Sequence, residues 1–388
     1  MRIAMIGQKG IPALYGGVER HAEELALELV KQGHEILAYA RAWYTPIIIK
    51  NYKGVRVIHT PTIHTKHLDA IVHTFTSTLH AMCTGVDVIH YHGVGPSLIA
   101  WMPRIFTPRI KVIATFHCID RYHQKWNWFA RFMLRLGEWA ACAFPHTTIT
   151  VSKTIQNYCI NEYQMNTESI PNGVNISDVD YGASALKQWG LQPGKYLLMV
   201  SRLIKHKGAH YLIDAWQAAR QHYPELLRDY KLAIVGDGVF TENYTKKLKI
   251  MAKDDDSVVF TGWQYGAELE TLFAHSKLLV HPSENEGLSL SVLQAMAKSK
   301  PVLVSDIPEQ QEVIADKRFW FVNASSFSLA NKIVELIQHP EWLAEAGKNN
   351  RQLAENKYGW ETIGALTEKI YADAATGKNR LVVKIKNA

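Results

Sequence analysis

Short apolar runs separated by helical patterns recur along all 388 residues. In the first half, RIAMIG (2–7), EILAYA (35–40), VRVIH (55–59), DVIHYH (87–92), KVIATFH (111–117) and TTITVS (147–152) predict strands. Between the first two, Val18, Ala22, Leu25 and Leu29 repeat at spacings of four, three and four, and Gly33 closes the predicted helix. Strand, helix, strand repeated in this way argues for a parallel sheet with helices on both faces. In YGASALKQWGLQPGK (181–195) small residues, Gly and Pro break the pattern and predict a linker. The alternation then resumes with YLLMVS (196–201), KLAIVG (230–235), SVVFTG (257–262), KLLVHP (277–282), PVLVSD (301–306) and FWFVN (319–323). The expectation is α/β: a doubly wound domain over 1–180, a linker over 181–194 and a second such domain over 195–360. A last helix in 361–388 packs back toward the first domain and ends in a basic tail. Open α/β sheets bind ligands at the carboxyl ends of their strands, so the expected site is a cleft between the domains.

Hydrophobic residues at 47% and charged residues at 20% describe a folded globular chain, and its length suits two cores. Cys83, Cys118, Cys142 and Cys159 show no C-x-x-C spacing, as expected of reduced cytosolic thiols. No signal-peptide apolar core and no run of about 18 apolar residues is found. A cytoplasmic location is expected, extending to the inner face of the cytoplasmic membrane. The net charge of +7 suits an anionic partner: a nucleotide, a phospholipid surface or a nucleic acid. Without a nucleic-acid-binding signature, the last is least favoured.

Three loops carry candidate chemistry. In GQKGIPALYGGVERH (7–21), Gly16 and Gly17 allow close backbone approach before a helix N-terminus that favours anions; the spacing is not G-x-G-x-x-G. In SRLIKHKG (201–208), Arg202 and Lys207 could neutralise a diphosphate whose charge grows as a bond to it breaks. In HPSENEGLSLSVLQAMAKS (281–299), Glu286 stands at a loop–helix junction and Gln294 about two turns inside. Eight helical residues would separate them by on the order of 12 Å. His117 ends a strand on the cleft side. His90 and His92 share a strand face without an apparent third ligand, so no metal is assigned there. KDDDSVV (253–259) has the Asp-x-Asp spacing of some divalent-ion sites but reads as a solvated turn. RYHQKWNWFARFMLRLGEWAACAF (121–144) mixes Trp126, Trp128, Phe129, Phe132 and Trp139 with Lys125, Arg131 and Arg135. It reads either as a lipid-headgroup contact or as a domain helix with Phe129, Phe132, Leu136 and Trp139 inward.

Together YGGVERH, ATFH, IPNGVN, SRLIKHKG and PSENEGLSLSVLQAMAKSKPVLVS, in this order from residue 2 to about 370, resemble the family 4 glycosyltransferases of GT-B fold. The first domain is most like the bacterial branch that builds capsule, exopolysaccharide or lipopolysaccharide. The resemblance implies two Rossmann-like domains facing a central cleft, an NDP-sugar donor, and a saccharide or lipid-linked acceptor. It also implies retaining transfer of a hexosyl, rhamnosyl or N-acetylhexosaminyl group, with no cofactor or metal. It places Gly16 and Gly17 near the donor phosphates with acceptor contacts nearby, His117 near the donor sugar, and Arg202 and Lys207 on the diphosphate. Glu286 would meet the sugar hydroxyls, and position 294 the ribose. Gly287 and Leu288 count with the donor-binding positions. Where the family carries a second Glu, this chain has Gln294, whose amide offers one acceptor oxygen and two donors. The alternatives are a GT-B-like sugar-nucleotide epimerase, a phosphorylase, for which no pyridoxal-binding lysine context is found, or a non-catalytic sugar-nucleotide-binding subunit.

Overall fold

The computed structural model describes residues 1–63, 65, 68–119, 121, 128–238 and 241–377. The chain divides into two compact units, Met1–Gly173 with Trp360–Ala388, and Val174–Gly359.

Unit 1 is built on β1 (Arg2–Ile6), β2 (Glu35–Ala40), β3 (Asn51–Tyr52), β4 (Val55–His59), β5 (Val88–His92), β6 (Lys111–Phe116), β7 (Thr147–Thr150) and β8 (Glu168–Ser169). They lie in the order β3-β4-β2-β1-β5-β6-β7-β8, parallel except for β3. β3 and β8, only two residues each, are the strands absent from the sequence expectation; neither is long enough to show an alternation. The expected helix forms as α1 (Gly17–Lys31), which buries Ala22, Leu25 and Leu29. The last helix, Trp360–Thr376, adds Ile363, Ile370 and Tyr371 to the same core cluster. On the other face α2 (Asp69–Cys83) supplies Ala81, beside Ala100 and Phe144. Three more helices complete this region: α3 (Val94–Ser97), α4 (Trp101–Phe106) and α5 (Trp128–Ala143).

Unit 2 carries β9 (Tyr196–Val200), β10 (Lys231–Val235), β11 (Val258–Gly262), β12 (Leu278–His281), β13 (Val302–Ser305) and β14 (Trp320–Phe321). All are parallel, in the order β11-β10-β9-β12-β13-β14. The stretch 181–194 lies inside this unit: Ala183–Trp189 coils into a 3-10 helix and buries Leu186.

The topology marks two candidate sites. Strand order reverses between β1 and β5 in unit 1 and between β9 and β12 in unit 2. At such switch points the loops leaving neighbouring strands diverge to opposite faces and leave a crevice for a ligand.

Candidate active site

At the switch point of unit 2, the loop after β9 carries Arg202 and Lys207, and the loop after β12 carries Glu286. They are stitched together by Glu284 N–H donating to the His206 carbonyl at 2.8 Å and by Ser283 Oγ–H donating to the same carbonyl at 3.2 Å. Gly208 makes the approach feasible. Its φ is +73°, and a Cβ there would overlap the Pro282 carbonyl oxygen, so only glycine fits without strain.

The result is a three-membered polar centre. Lys207 Nζ pairs with Glu286 Oε1, and His281 Nε2 donates to the same oxygen at 2.6 Å. Glu286 and His281 are both buried, at 8% and 1% exposure. Burial opposes ionisation of Glu286, but Lys207 and His281 outweigh it and hold the carboxyl far below the usual carboxylate range. Both contacts converge on Oε1, while Oε2 has no hydrogen-bond partner among the described residues. An ionised oxygen fixed by its neighbour in this way can accept a hydroxyl donor. His281 was not singled out from sequence; its position five residues before Glu286, at a strand end, is the signal that could have found it.

Arg202 is exposed and its guanidinium has no described partner, leaving it available to an anion. Gly287 and Leu288 are buried directly after Glu286. The helix they lead to spans Leu290–Ala297, later than expected, so Gln294 lies just over one turn inside rather than two. Three of the seven residues between it and Glu286 are loop, and the helical estimate of their separation does not apply. Gln294 is half-buried. The Asp-rich stretch 253–259 is a structural turn: Asp255 Oδ1 accepts from Ser257 N–H at 3.0 Å, and Ser257 Oγ accepts from Trp216 Nε1–H at 2.9 Å.

The switch point of unit 1 is different. Gly16 and Gly17 do lie at the start of α1, with Gly16 at φ +106°. A carboxylate already occupies that turn, because Glu19 pairs with Lys9 Nζ at 3.1 Å and accepts from Lys9 N–H at 3.3 Å. Its oxygen lies where a Gly16 Cβ would be. The Glu19 carboxylate and the Lys9 ammonium thus form an ion pair beside the start of α1. His117 is buried and belongs to a cluster with His21 and His92. His92 Nδ1 and His117 Nε2 are 3.4 Å apart, and the His21 ring lies 4.8 Å from that of His117. Burial pushes His21 down to about 4 and His92 and His117 well below the ordinary value, so these imidazoles are neutral near pH 7. His90 stands apart, with Tyr371 Oη at 2.7 Å from Nδ1 and Thr115 Oγ1 at 2.7 Å from Nε2. His92 is thus joined not by His90 but by His21 from α1 and by His117 from the end of β6.

In α5 the buried positions are Gly137, Glu138, Ala140, Ala141 and Cys142, and Glu138 accepts from the Tyr158 and Tyr163 hydroxyls. A Cβ on Gly137 would meet the Val94 carbonyl of α3, and Ala140 and Ala141 are buried. Phe132, Leu136 and Trp139 therefore point outward, 53%, 36% and 44% exposed, which corrects the inward reading of these three. Lys125, Trp126 and the side chain of Phe129 lie outside the described residues, as does the basic tail from 378. Among the described residues no helix is long and apolar enough to cross a membrane.

Residues 15–178 match the Glycosyltransferase Family 4 model and residues 185–353 that of Glycosyl transferases group 1. An uncharacterized glycosyltransferase of Methanocaldococcus jannaschii is 26% identical over 96% of this chain and 98% of its own. The alpha-monoglucosyldiacylglycerol synthase of Streptococcus pneumoniae is 24% identical over 98% of this chain and 87% of its own. Among solved structures, sucrose-phosphate synthase from Thermosynechococcus elongatus superposes with a TM-score of 0.81 at 20% identity, covering 97% of this chain and 99% of that one. Anabaena HepE in complex with UDP and glucose superposes at 0.77 with 22% identity, covering 96% of this chain and 100% of that one. With two parallel-sheet units, a basic and acidic pair at the second switch point, and both family models matched in order, the chain belongs to the family 4 glycosyltransferases of GT-B fold.

Proposed function

We propose that the chain transfers a hexosyl, rhamnosyl or N-acetylhexosaminyl group from a nucleoside-diphosphate sugar to an acceptor hydroxyl, with retention, in capsule, exopolysaccharide or lipopolysaccharide synthesis. The observation that carries this reading is Glu286, ionised, buried and held through Oε1 with Oε2 left to a sugar hydroxyl. Arg202 and Lys207 take the departing diphosphate, where fixed cations act most strongly as charge develops. His281 holds the same oxygen as Lys207, so Glu286 keeps a partner when Lys207 turns to the phosphates. Gln294 serves the ribose, Gly287 and Leu288 line the donor, and His117 offers the sugar a neutral imidazole. Gly16 and Gly17 let the backbone approach the donor phosphates, with acceptor contacts nearby. The test is a panel of UDP-, GDP- and dTDP-sugars with cell-extracted lipid-linked acceptors, read by product mass and by the anomeric configuration of the product. Glu286→Ala or Lys207→Ala with unchanged transfer would refute the assignment.

The acceptor is lipid-linked and unit 1 docks at an anionic membrane surface. Trp128 at 80% exposure, Phe132, Leu136 and Trp139 form a stripe along α5, flanked by exposed Arg131 and Arg135. Ile71, Phe75 and Leu79 on α2 and Ile105 and Phe106 on α4, on the same side of the sheet, are 40–64% exposed. Apolar side chains ringed by cations suit a headgroup layer. Two relatives are named for lipid substrates, the S. pneumoniae synthase and a Mycolicibacterium smegmatis phosphatidylinositol monomannoside mannosyltransferase, 28% identical over 51% of this chain. Co-sedimentation with phosphatidylglycerol vesicles, absent with phosphatidylcholine alone, is the expected result.

A further inference from the structure

The three histidines of unit 1 have a use that sugar transfer by unit 2 does not require. They come from three separate elements: the fifth residue of α1, the last of β5 and the residue after β6. One ring nitrogen from each lies within 4.8 Å of the other two, and all three side chains are buried. The closest pair, His92 Nδ1 and His117 Nε2, is 3.4 Å apart. That is long for an N–H···N bond. It matches the spacing of roughly 3.3 Å between two nitrogens that each sit 2.0–2.1 Å from a tetrahedral zinc ion. His21 Nδ1 is buried without a hydrogen-bond partner among the described residues. Buried polar atoms left in this state call for an explanation. His90, both of whose nitrogens are engaged, forms a wall 4.2 Å from the His92 ring and is not a ligand.

We propose that His21, His92 and His117 form a binding site for a divalent transition-metal ion, of the zinc type, within unit 1. Three imidazoles and no carboxylate suit Zn²⁺ or Co²⁺ and do not suit Mg²⁺, Ca²⁺ or Mn²⁺, which prefer oxygen ligands. The fourth coordination position of such a set falls to an oxygen, from water or from an acceptor hydroxyl. The ligands are uncharged before the metal arrives, so binding releases no proton from them near neutral pH. The site shares His117 with the transferase reading but stands on metal binding alone, so it can fail while that reading holds, and the reverse.

The experiment uses the full chain purified without a polyhistidine tag. Metal content is measured by mass spectrometry, and chelator-treated protein is titrated with Co²⁺ while the visible ligand-field band is followed. One equivalent of bound metal and a tetrahedral Co²⁺ band displaced by Zn²⁺ but not by Mg²⁺ are expected. His21→Ala and His92→Ala should each weaken Zn²⁺ binding by at least about a hundredfold, the upper limit for changes outside the ligand shell. His281→Asn, in unit 2, should leave it unchanged. Circular dichroism establishes that each variant folds, and should one fail to fold, the Co²⁺ spectrum of the unaltered chain decides alone. Less than about a tenth of an equivalent of metal after zinc loading, together with no Co²⁺ band, overturns the proposal. So does Zn²⁺ affinity unaltered by both substitutions.

Discussion

At the carboxyl ends of β9 and β12 a carboxylate, an ammonium and an imidazole meet at one oxygen, whereas at the ends of β5 and β6 three imidazoles gather without a carboxylate among them. Both clusters sit at the reversal of strand order in a parallel sheet. In unit 2 the buried charge is tolerated because its partners are supplied on the spot, which makes the centre strongly coupled and intolerant of losing one member. In unit 1 the groups shed their charge and leave ring nitrogens unengaged, so the centre is open to an outside ligand. The difference separates a pre-formed anionic contact from a neutral donor set.

Removing the carboxylate should break the charged centre most severely. Glu286→Ala leaves Lys207 and His281 facing each other without their acceptor. A loss of about 3 kcal/mol in unit 2 is expected by denaturant unfolding, with transfer falling by about a thousandfold or more. Glu286→Gln keeps the shape and an acceptor oxygen, and should recover most of the stability but little of the transfer. Equal transfer by both variants and the unaltered chain would place the chemistry elsewhere.

Gly208→Ala attacks the same centre through the backbone. At φ +73°, with the Pro282 carbonyl in the way, the two loops must separate. We expect a cost of about 2–3 kcal/mol and reduced transfer although Lys207 and Glu286 are both present. Acid should expose the centre in the unaltered chain. The folded carboxyl of Glu286 is depressed, so its contribution to stability is complete above the ordinary value of 4.5. It is lost as pH falls below that value, because the unfolded chain then takes up a proton that the folded one refuses. Protection against amide exchange across Leu278–Ala297, corrected for the intrinsic rate at each pH, should fall below pH 4.5 in the unaltered chain, with a shallower dependence in Glu286→Gln.

Much of the charged centre was legible because its parts lie in contiguous motifs: Lys207 and Glu286 each stand in a loop directly after an apolar strand. The eleven longer strands and the two-residue β14 could be read from their apolar runs. His281 carried the same signal as His117, a histidine at a strand end, but its tie to Glu286 shows only in the folded loop. The histidine cluster was hidden by distance in sequence, since residues 21, 92 and 117 meet only once β5 and β6 are paired. α5 misled for another reason. Its aromatic side chains suggest an inward face, yet its close approach to α3 admits only Gly137 and small neighbours. Trp128→Ser combined with Phe132→Ser should therefore change stability by less than about 0.5 kcal/mol each, while abolishing sedimentation with anionic vesicles.

The smallest effect should come from Gln294→Glu, and it is the one that most sharpens the contrast between charged and neutral recognition. Gln294 is half-buried on the Leu290–Ala297 helix, with no side-chain hydrogen bond among the described residues, so the substitution breaks nothing in place. An amide meets a ribose diol with one acceptor oxygen; a carboxylate meets it with two, and each bond is charge-assisted. If position 294 addresses the ribose, the gain is about 1 kcal/mol, or roughly a fivefold lower KM for the donor, with kcat little changed because the ribose is remote from the breaking bond. A change in kcat instead would mean that residue 294 reaches the reacting sugar. No change in either would move the ribose contact to another residue.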